Sequence, residues 1–261
     1  VAVILAAFRE VSVAADAVGA IFADGLIPAG LEMMDQIAIQ AAEAFVYAGY
    51  PVDAEAMLLI ELDGTVAEID GLIEKTLTIL RRQGAYQSNV ERSEEGRARL
   101  WMGRKAAFPA VGRISPDYYC MDGTIPRRHL AAVLERIGSL SEQYGLRVAN
   151  VFHAGDGNLH PLILFDANIE GELERAEAFG ADILTLCIGV GGTITGEHGV
   201  GLEKIDQMCV QFDDAALEIF HGVKAVFDEQ GLLNPGKAVP TLSRCAEFGA
   251  MHVHKGQMPY P

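Results

Sequence analysis

Two short apolar runs joined by a tight polar turn constrain the fold of this 261-residue chain more than any other feature. Residues 147–153 and 159–165 have the composition of strands, and the segment between them is rich in glycine and asparagine, which favour turns. Such a short connection joins antiparallel strands, because a parallel pair needs a crossover of about a dozen residues or more. The sequence therefore predicts an α+β fold rather than a doubly wound parallel sheet.

Apolar periodicity predicts alternating strands and helices along most of the chain. Apolar runs predict strands at 1–8, 57–62, 85–89 and 117–121, and the stretch 26–34 predicts a turn at 28–30 followed by a strand. Helical spacing predicts helices at 11–22, 35–48, 65–82, 92–107, 126–144 and 170–188, then a mostly helical stretch at 201–231. We expect the helices to cover one face of the sheet. The tail, 241–261, has little periodicity and is expected to lie as an extended strap.

Composition argues against several classes of function. The formal net charge is −16, which would repel phosphates, so we expect no nucleic-acid partner. No apolar run reaches the roughly 18–20 residues needed to span a bilayer. The first residue is Val rather than Met, and we expect a fragment of a longer protein. The cysteines lack metal or iron–sulfur spacing and are expected to be reduced thiols of a cytoplasmic protein: Cys120, Cys187, Cys209 and Cys245.

The octet His-Ala-Gly-Asp-Gly-Asn-Leu-His, residues 153–160, places a histidine on each side of the predicted turn. If residues 155–158 form the loop, His153 faces His160 and their Cβ atoms lie about 4.5–5.5 Å apart. Two such imidazoles can bind one divalent ion with bonds of roughly 2.0–2.1 Å. The pattern also fits a hairpin with two hydrogen-bonded core histidines, and the spacing leaves both interpretations open.

A glycine-rich loop, residues 191–201, carries Glu197 and His198 at its centre. Its glycines allow the backbone to approach a ligand closely. The Glu197 carboxylate can complete a His-His-Glu metal site with an open position for substrate, and His198 would then be a free base beside the ion. An ordinary loop with an exposed acid and histidine remains the alternative. The spacing matches neither the dinucleotide fingerprint nor the phosphate loop.

Three motifs follow one another in the second half of the chain: the octet at 153–160, Gly-Thr-Ile-Thr-Gly-Glu-His-Gly-Val-Gly at 192–201, and Leu-Asn-Pro-Gly-Lys at 233–237. Together they resemble the C-terminal part of the FAD-linked oxidase family, which includes D-lactate, D-2-hydroxyglutarate and glycolate dehydrogenases. The segments 100–127 and 244–254 resemble the flavin subunits of glycolate oxidases more narrowly. The resemblance covers essentially the whole chain.

The resemblance implies roles for eight residues. It implies that His153, His160 and Glu197 bind a metal, His198 is the catalytic base, Arg104 holds the substrate carboxylate, and Asn234, Gly196 and Gly199 contact the cofactor. The implied cofactors are FAD and a divalent metal, with zinc the first choice. A metal on the substrate hydroxyl would lower its pKa, and the C2 hydride would pass to the flavin.

The resemblance also implies a substrate class. The family oxidises 2-hydroxy acids to 2-oxo acids, and its 2-hydroxyglutarate members carry a lysine shortly before a segment that matches residues 122–126. Here Cys120 and Met121 occupy that place, so a second substrate carboxylate would lack its partner. A small substrate, glycolate or D-lactate, is therefore expected.

The domain organisation and the partners follow from the same resemblance. Residues 1–190 are expected to form a ferredoxin-like substrate (cap) domain of two similar halves. Residues 191–261 are expected to form a helical segment that packs on an FAD-binding domain, whose phosphate-gripping loop this chain lacks. The implied partners are a second flavin-type subunit and an iron–sulfur subunit, which would carry electrons towards the inner face of a membrane.

Two rival functions use the same residues differently. A metal-dependent hydrolase would use the His153, His160 and Glu197 site with His198 as base, and would need no flavin. A non-catalytic assembly subunit would keep the motifs and bind partner subunits without metal uptake.

Overall fold

The computed structural model describes residues 1–241 and residue 245, and within them one antiparallel sheet organises the chain. The strands are β1 Ala2–Phe8, β2 Gly30–Asp35, β3 Ala56–Leu62, β4 Gln87–Glu91, β5 Asp117–Cys120, β6 Val148–Phe152 and β7 Pro161–Phe165. The helices are α1 Val11–Ala23, α2 Gln36–Val46, α3 Val66–Arg82, α4 Glu94–Val111, α5 Leu130–Tyr144, α6 Glu172–Gly189, α7 Ile205–Gln211 and α8 Asp214–Phe227. None of these helices combines the length and the apolar composition that crossing a membrane requires.

The strands run in the order β4-β1-β3-β2-β6-β7-β5, and the pairings between them are antiparallel. The predicted α+β class is thus confirmed. The first half has the β-α-β-β-α-β order of a ferredoxin-like unit, with α2 inserted between its middle strands. The second half, from β5 to α6, repeats the first five elements of this order, β-α-β-β-α, and no strand is described after α6. The two halves join where Met33 and Met34 of β2 pair with β6.

Helices cover both faces of the sheet, so the expectation of a single helical face was wrong in this respect. Helices α1, α3, α5 and α6 pack on one face, and α2 and α4 pack on the other. Strand β1 shows the cause, because Ile4 belongs to the first core and its neighbour Val3 to the second, both fully buried. A strand that is apolar on both sides needs cover on both sides.

The hairpin of β6 and β7 differs from the predicted register by two residues. His153 pairs with Asn158, so the turn contains residues 154–157 rather than 155–158. Backbone N–H groups of Asp156 and Asn158 both donate to the His153 carbonyl, and Gly157 adopts φ +74°. His153 and His160 are therefore diagonal neighbours across the hairpin, not a facing pair.

Two other expectations concern the C-terminal part of the chain. Cys209 and Cys245 form a disulfide, which corrects the expectation of four reduced thiols, while Cys120 and Cys187 are free. The helical stretch predicted at 201–231 divides into α7 and α8. The predicted strap at 241–261 lies outside the described residues, except for residues 241 and 245.

One buried carboxylate fastens the two halves of the sheet together. Asp35 Oδ1 accepts from the Ala38 N–H at 3.0 Å and caps α2, while Oδ2 accepts from both the backbone N–H and the side-chain amide of Asn150 at 2.8 Å. Burial raises the pKa of Asp35 to about 6, against the effect of these hydrogen bonds. The side chain joins β2, α2 and β6.

We predict that Asp35→Ala lowers the free energy of unfolding by about 2–4 kcal/mol, because a cap is lost and the donors of buried Asn150 lose their acceptor. Urea unfolding measures the loss. Asp213 is the matched control, since it caps α8 through Ala216 at 2.9 Å on an exposed surface. Asp213→Ala should cost only about 1 kcal/mol. Equal losses would contradict the role of Asp35 at the junction.

Candidate active site

The β6–β7 hairpin and the loop after α6 bring four predicted site residues together. His160 Nε2 lies 3.0 Å from Glu197 Oε1, His198 Nε2 lies 3.7 Å from it, and His153 Nε2 lies 3.8 Å from it. Ligand atoms around a tetrahedral ion with bonds of about 2.0–2.1 Å are spaced by about 3.4 Å. The ligand atoms of His160, Glu197 and His198 lie, together with one of Asp122, within 4.8 Å of one another, whereas His153 belongs to no such group among the described residues. The imidazole–carboxylate donor set suits a divalent ion such as zinc, and His153 would have to move closer to join it.

His160 is the most enclosed member of this cluster, with 2% of its surface exposed. Burial, together with the neighbouring His153 and His198, lowers its pKa to about 4. The imidazole is therefore neutral at pH 7, which is the form that binds a metal. Its Nδ1 lies 3.9 Å from the free thiol of Cys120.

Asp122 holds the loop that carries Glu197 and His198. Its fully buried carboxylate accepts backbone N–H groups of residues 196–198 at 2.8–3.2 Å, the Thr195 hydroxyl at 2.7 Å and the Lys204 ammonium at 3.1 Å. Burial opposes ionisation, but the hydrogen bonds from Thr195 and His198 and the Lys204 charge outweigh it and keep the pKa of Asp122 well below its usual range. The loop backbone is fixed by this ionised carboxylate.

Gly196 and Gly199 shape the same loop. A Cβ at Gly196 would lie 2.6 Å from the Asn158 side chain, so only glycine fits without displacing that amide. Gly199 adopts φ +80° and donates its N–H to the Thr195 hydroxyl at 2.8 Å. The Asn158 amide nitrogen lies 3.4 Å from His160 Nε2. These contacts account for both glycines structurally, and their cofactor role remains a prediction.

Arg104 is linked to the histidine cluster through Glu32. Its Nε and Nη2 lie 2.9 and 2.8 Å from Glu32 Oε2, and Glu32 Oε1 lies 2.9 Å from His153 Nδ1. Hydrogen bonding to Glu32 raises the pKa of His153 above its ordinary value. Helix α4 carries Arg104 on the sheet face that also holds His160, whose ring centre lies 6.1 Å from that of Phe108 on the same helix.

The structure does not bring Asn234 into the cluster. Asn234 adopts φ 48°, and its side chain accepts from the Lys237 ammonium at 3.3 Å. The segment reaches the glycine-rich loop only at its base, where the Ala238 N–H donates to the Gly201 carbonyl at 2.9 Å. Among the described contacts, none links Asn234 to the histidines.

A cavity of about 420 Å³ opens beside His153 and Glu197, and Thr124, Thr193 and Thr195 form part of its polar lining. Its volume lies within the range of about 300–1,000 Å³ that small-molecule sites occupy. Inside the site, the Thr124 hydroxyl and the side-chain Oδ1 of Asn158 are buried and have no hydrogen-bond partner among the described residues. Unsatisfied polar atoms are uncommon in protein interiors.

Sequence reasoning missed Glu32, the clamp role of Asp122 and the buried charge of Lys204. Glu32 carried a detectable signal, because it is a charged residue inside the apolar run Leu-Glu-Met-Met of β2. A charge in a buried strand requires a partner. No local pattern indicated which partner, since Glu32 and His153 are 121 residues apart in the sequence.

Comparison with known proteins gives one family. Residues 1–238 match the family described as FAD linked oxidases, C-terminal domain. Glycolate oxidase subunit GlcD of Escherichia coli (strain K12) is 63% identical over 99% of this chain and 52% of that protein. The Bacillus subtilis (strain 168) GlcD is 35% identical over 90% of this chain and 50% of that protein.

More distant similarities extend the comparison. D-lactate dehydrogenase of Anaerostipes hadrus is 31% identical over 83% of this chain and 47% of that protein. The solved structure of p-cresol methylhydroxylase with substrate bound has a TM-score of 0.67 at 12% identity, covering 93% of this chain and 53% of that one, and shows a similar fold. The chain thus spans about half the length of the curated relatives named here.

We predict that Asp122→Asn makes the amides of residues 196–198 exchange hydrogen at least about tenfold faster, since a hydrogen bond to a charged group contributes about 1.5–3 kcal/mol. Hydrogen-exchange mass spectrometry measures this. Asp228→Asn is the control, because Asp228 likewise binds a lysine, Lys224, and the backbone N–H groups of residues 232 and 233. It should loosen only its own turn. Unchanged exchange at 196–198 in Asp122→Asn would refute the clamp.

Proposed function

We propose a function from one premise: the chain belongs to the family of FAD-linked oxidase C-terminal domains. It supplies the substrate and metal half of an oxidoreductase that converts a small 2-hydroxy acid, glycolate or D-lactate, into the 2-oxo acid. The observation that carries this proposal is the convergence of three imidazole Nε2 atoms on Glu197 Oε1 at 3.0–3.8 Å. The glycolate oxidase and D-lactate dehydrogenase relatives support the substrate class.

His153, His160 and Glu197 would hold the divalent ion, which when bound would lower the pKa of a substrate hydroxyl. Asp122 also has a carboxylate oxygen within 4.8 Å of ligand atoms of His160, Glu197 and His198. Its carboxylate is already occupied by backbone, hydroxyl and ammonium donors, so it supports the loop instead of binding the ion. Three protein ligands leave an open position for substrate, as in catalytic zinc sites.

His198 is the proposed base. Its Nε2 lies 3.7 Å from Glu197 Oε1, against 3.8 Å for His153 Nε2, and its ligand atoms group with those of His160 and Glu197, so distance does not favour His153 over His198 as the ligand. The difference is at the other ring nitrogen. Glu32 accepts from His153 Nδ1, an arrangement that orients metal-binding histidines, whereas no such carboxylate contact is described for His198. His198, with 43% of its side chain exposed, is free to take the hydroxyl proton.

Arg104 would orient the substrate carboxylate, since guanidinium groups bind carboxylates with paired hydrogen bonds. FAD, when bound, supplies the acceptor for the C2 hydride. An exposed apolar surface on α8 and the segment after it supports contact with a separate flavin-binding domain, because large exposed apolar patches mark interaction sites. Val226, Phe227 and Leu232 are 79%, 78% and 72% exposed.

The domain division, the partners and the location extend this proposal. Residues 1–190 form the substrate (cap) domain and residues 191–261 pack on the flavin domain. GlcD is a subunit by name, which supports an assembly of several chains. A second flavin-type subunit and an iron–sulfur subunit would pass electrons onward at the cytoplasmic face of a membrane.

We predict that His160→Ala lowers the zinc content of the purified chain by about one equivalent, because it removes a ligand from a three-ligand site. Elemental analysis after zinc loading measures it. His129→Ala serves as the control, since His129 lies on the surface beside Arg128. Equal zinc content in the unchanged chain, His160→Ala and His129→Ala would exclude the metal site.

We predict that His198→Ala lowers kcat by roughly 10²–10⁴-fold in the complete enzyme while zinc stays bound, as expected for a general base. Turnover of glycolate and D-lactate and zinc content are measured on the same samples. His153→Ala should lose zinc. The two assignments are reversed if His198→Ala loses zinc and His153→Ala keeps it.

A further inference from the structure

Glu32 connects two parts of the site that the sequence keeps far apart. One carboxylate oxygen lies 2.9 Å from His153 Nδ1, and the other lies 2.9 and 2.8 Å from Arg104 Nε and Nη2. The side chains of Glu32 and Arg104 are only 11% and 9% exposed. Glu32 lies on β2, His153 directly follows β6, and Arg104 lies on α4.

Stability alone is a poor explanation for this buried pair. Taking a carboxylate and a guanidinium out of water is costly, and well-packed apolar residues of similar volume often serve a protein interior equally well. Arg104 Nη2 is buried and, despite its short distance to Glu32, makes no aligned hydrogen bond. The guanidinium therefore retains a donor that no described residue satisfies.

The contact with His153 has a definite chemical consequence. A carboxylate accepts but does not donate, so Glu32 selects the imidazole tautomer with hydrogen on Nδ1. The lone pair is then on Nε2, the nitrogen that faces Glu197. Carboxylates in this position orient metal-binding histidines and make them stronger ligands.

We propose that Glu32 is a positioning residue that sets the tautomer of His153 and the orientation of Arg104 together. One carboxylate thereby fixes the distance between the metal-side ligand and the group that receives the substrate carboxylate. This inference rests on the proposed function, because it takes His153 as a metal ligand and Arg104 as the substrate-binding arginine.

The chain contains a matched control in Glu61. It lies on the neighbouring strand β3, opposite Gly30, and therefore points to the same face of the sheet as Glu32. Its Oε2 accepts from Trp101 Nε1 at 2.7 Å, so it also joins the sheet to α4. Glu61→Gln makes the same chemical change at a strand–helix contact for which no contact with His153 is described.

The test compares the full chain with Glu32→Gln, Glu32→Asp and Glu61→Gln. Zinc affinity is measured by competition with a chromophoric chelator, and the His153 tautomer of the metal-free chain by ¹⁵N-histidine NMR. Glu32→Gln should weaken zinc binding by about 10–100-fold, the usual effect of losing such a partner. It should also reduce the population with hydrogen on Nδ1. Glu32→Asp should lie between it and the unchanged chain, and Glu61→Gln should match the unchanged chain.

In the complete enzyme, Glu32→Gln should also raise KM for glycolate, because Arg104 loses its orientation, whereas Glu61→Gln should not. Thermal unfolding shows whether each variant folds. If Glu32→Gln does not fold, Glu32→Asp is compared with the unchanged chain in its place. If the Glu32 variants bind zinc as tightly as the unchanged chain and keep the same His153 tautomer, this inference is overturned, while the metal site itself is unaffected. No zinc uptake by the unchanged chain would overturn the metal assignment and, with it, the role of Glu32.

Discussion

A sheet that is apolar on both faces controls where this molecule can place chemistry. Helices cover both sides, so a polar side chain within a strand is buried and needs a hydrogen-bond or ion-pair partner. The candidate site lies where this restriction ends, at the turn of the β6–β7 hairpin and the loop beside it. Asp35 and Glu32, the two acids within β2, obey the rule, because each is paired with groups from another element.

One of the helices that cover the second face of the sheet, α4, also carries Arg104. Helix α4 lies against the strand faces that carry Glu32 and the two hairpin histidines, so Arg104 reaches Glu32 from above the sheet. A sheet with helices on one face only, as the periodicity suggested, would leave Arg104 without a position near the site. The error in the predicted layer arrangement and the missed role of Glu32 therefore have one cause: the two-sided burial of β2.

Most elements of the fold were predictable from the sequence, and the limits are equally specific. Apolar periodicity placed the strands and helices, because burial imposes periods of 2 and 3.6 residues. The hairpin register was wrong by two, since Gly157 takes the left-handed conformation and Asn158 closes the turn. The histidines still converge because a shift of two preserves the face of a strand, whereas a shift of one would have separated them. Contacts such as that of Glu32 with His153 depend on tertiary packing and leave no local pattern.

The site combines a fixed backbone with exposed side chains, and this combination bears on what completes it. Asp122 holds the loop by three N–H groups, yet Glu197 remains 53% and His198 43% exposed. A hydrolase can work with water at such an open site, but hydride transfer requires water to be excluded from the reacting atoms. The described residues leave this side open, and exposed apolar side chains follow on α8. An oxidase therefore needs a further domain or chain that covers the site. The part of the curated relatives that this chain does not span is a candidate for that cover. Under the proposed function, the open side would be the surface across which substrate and flavin meet.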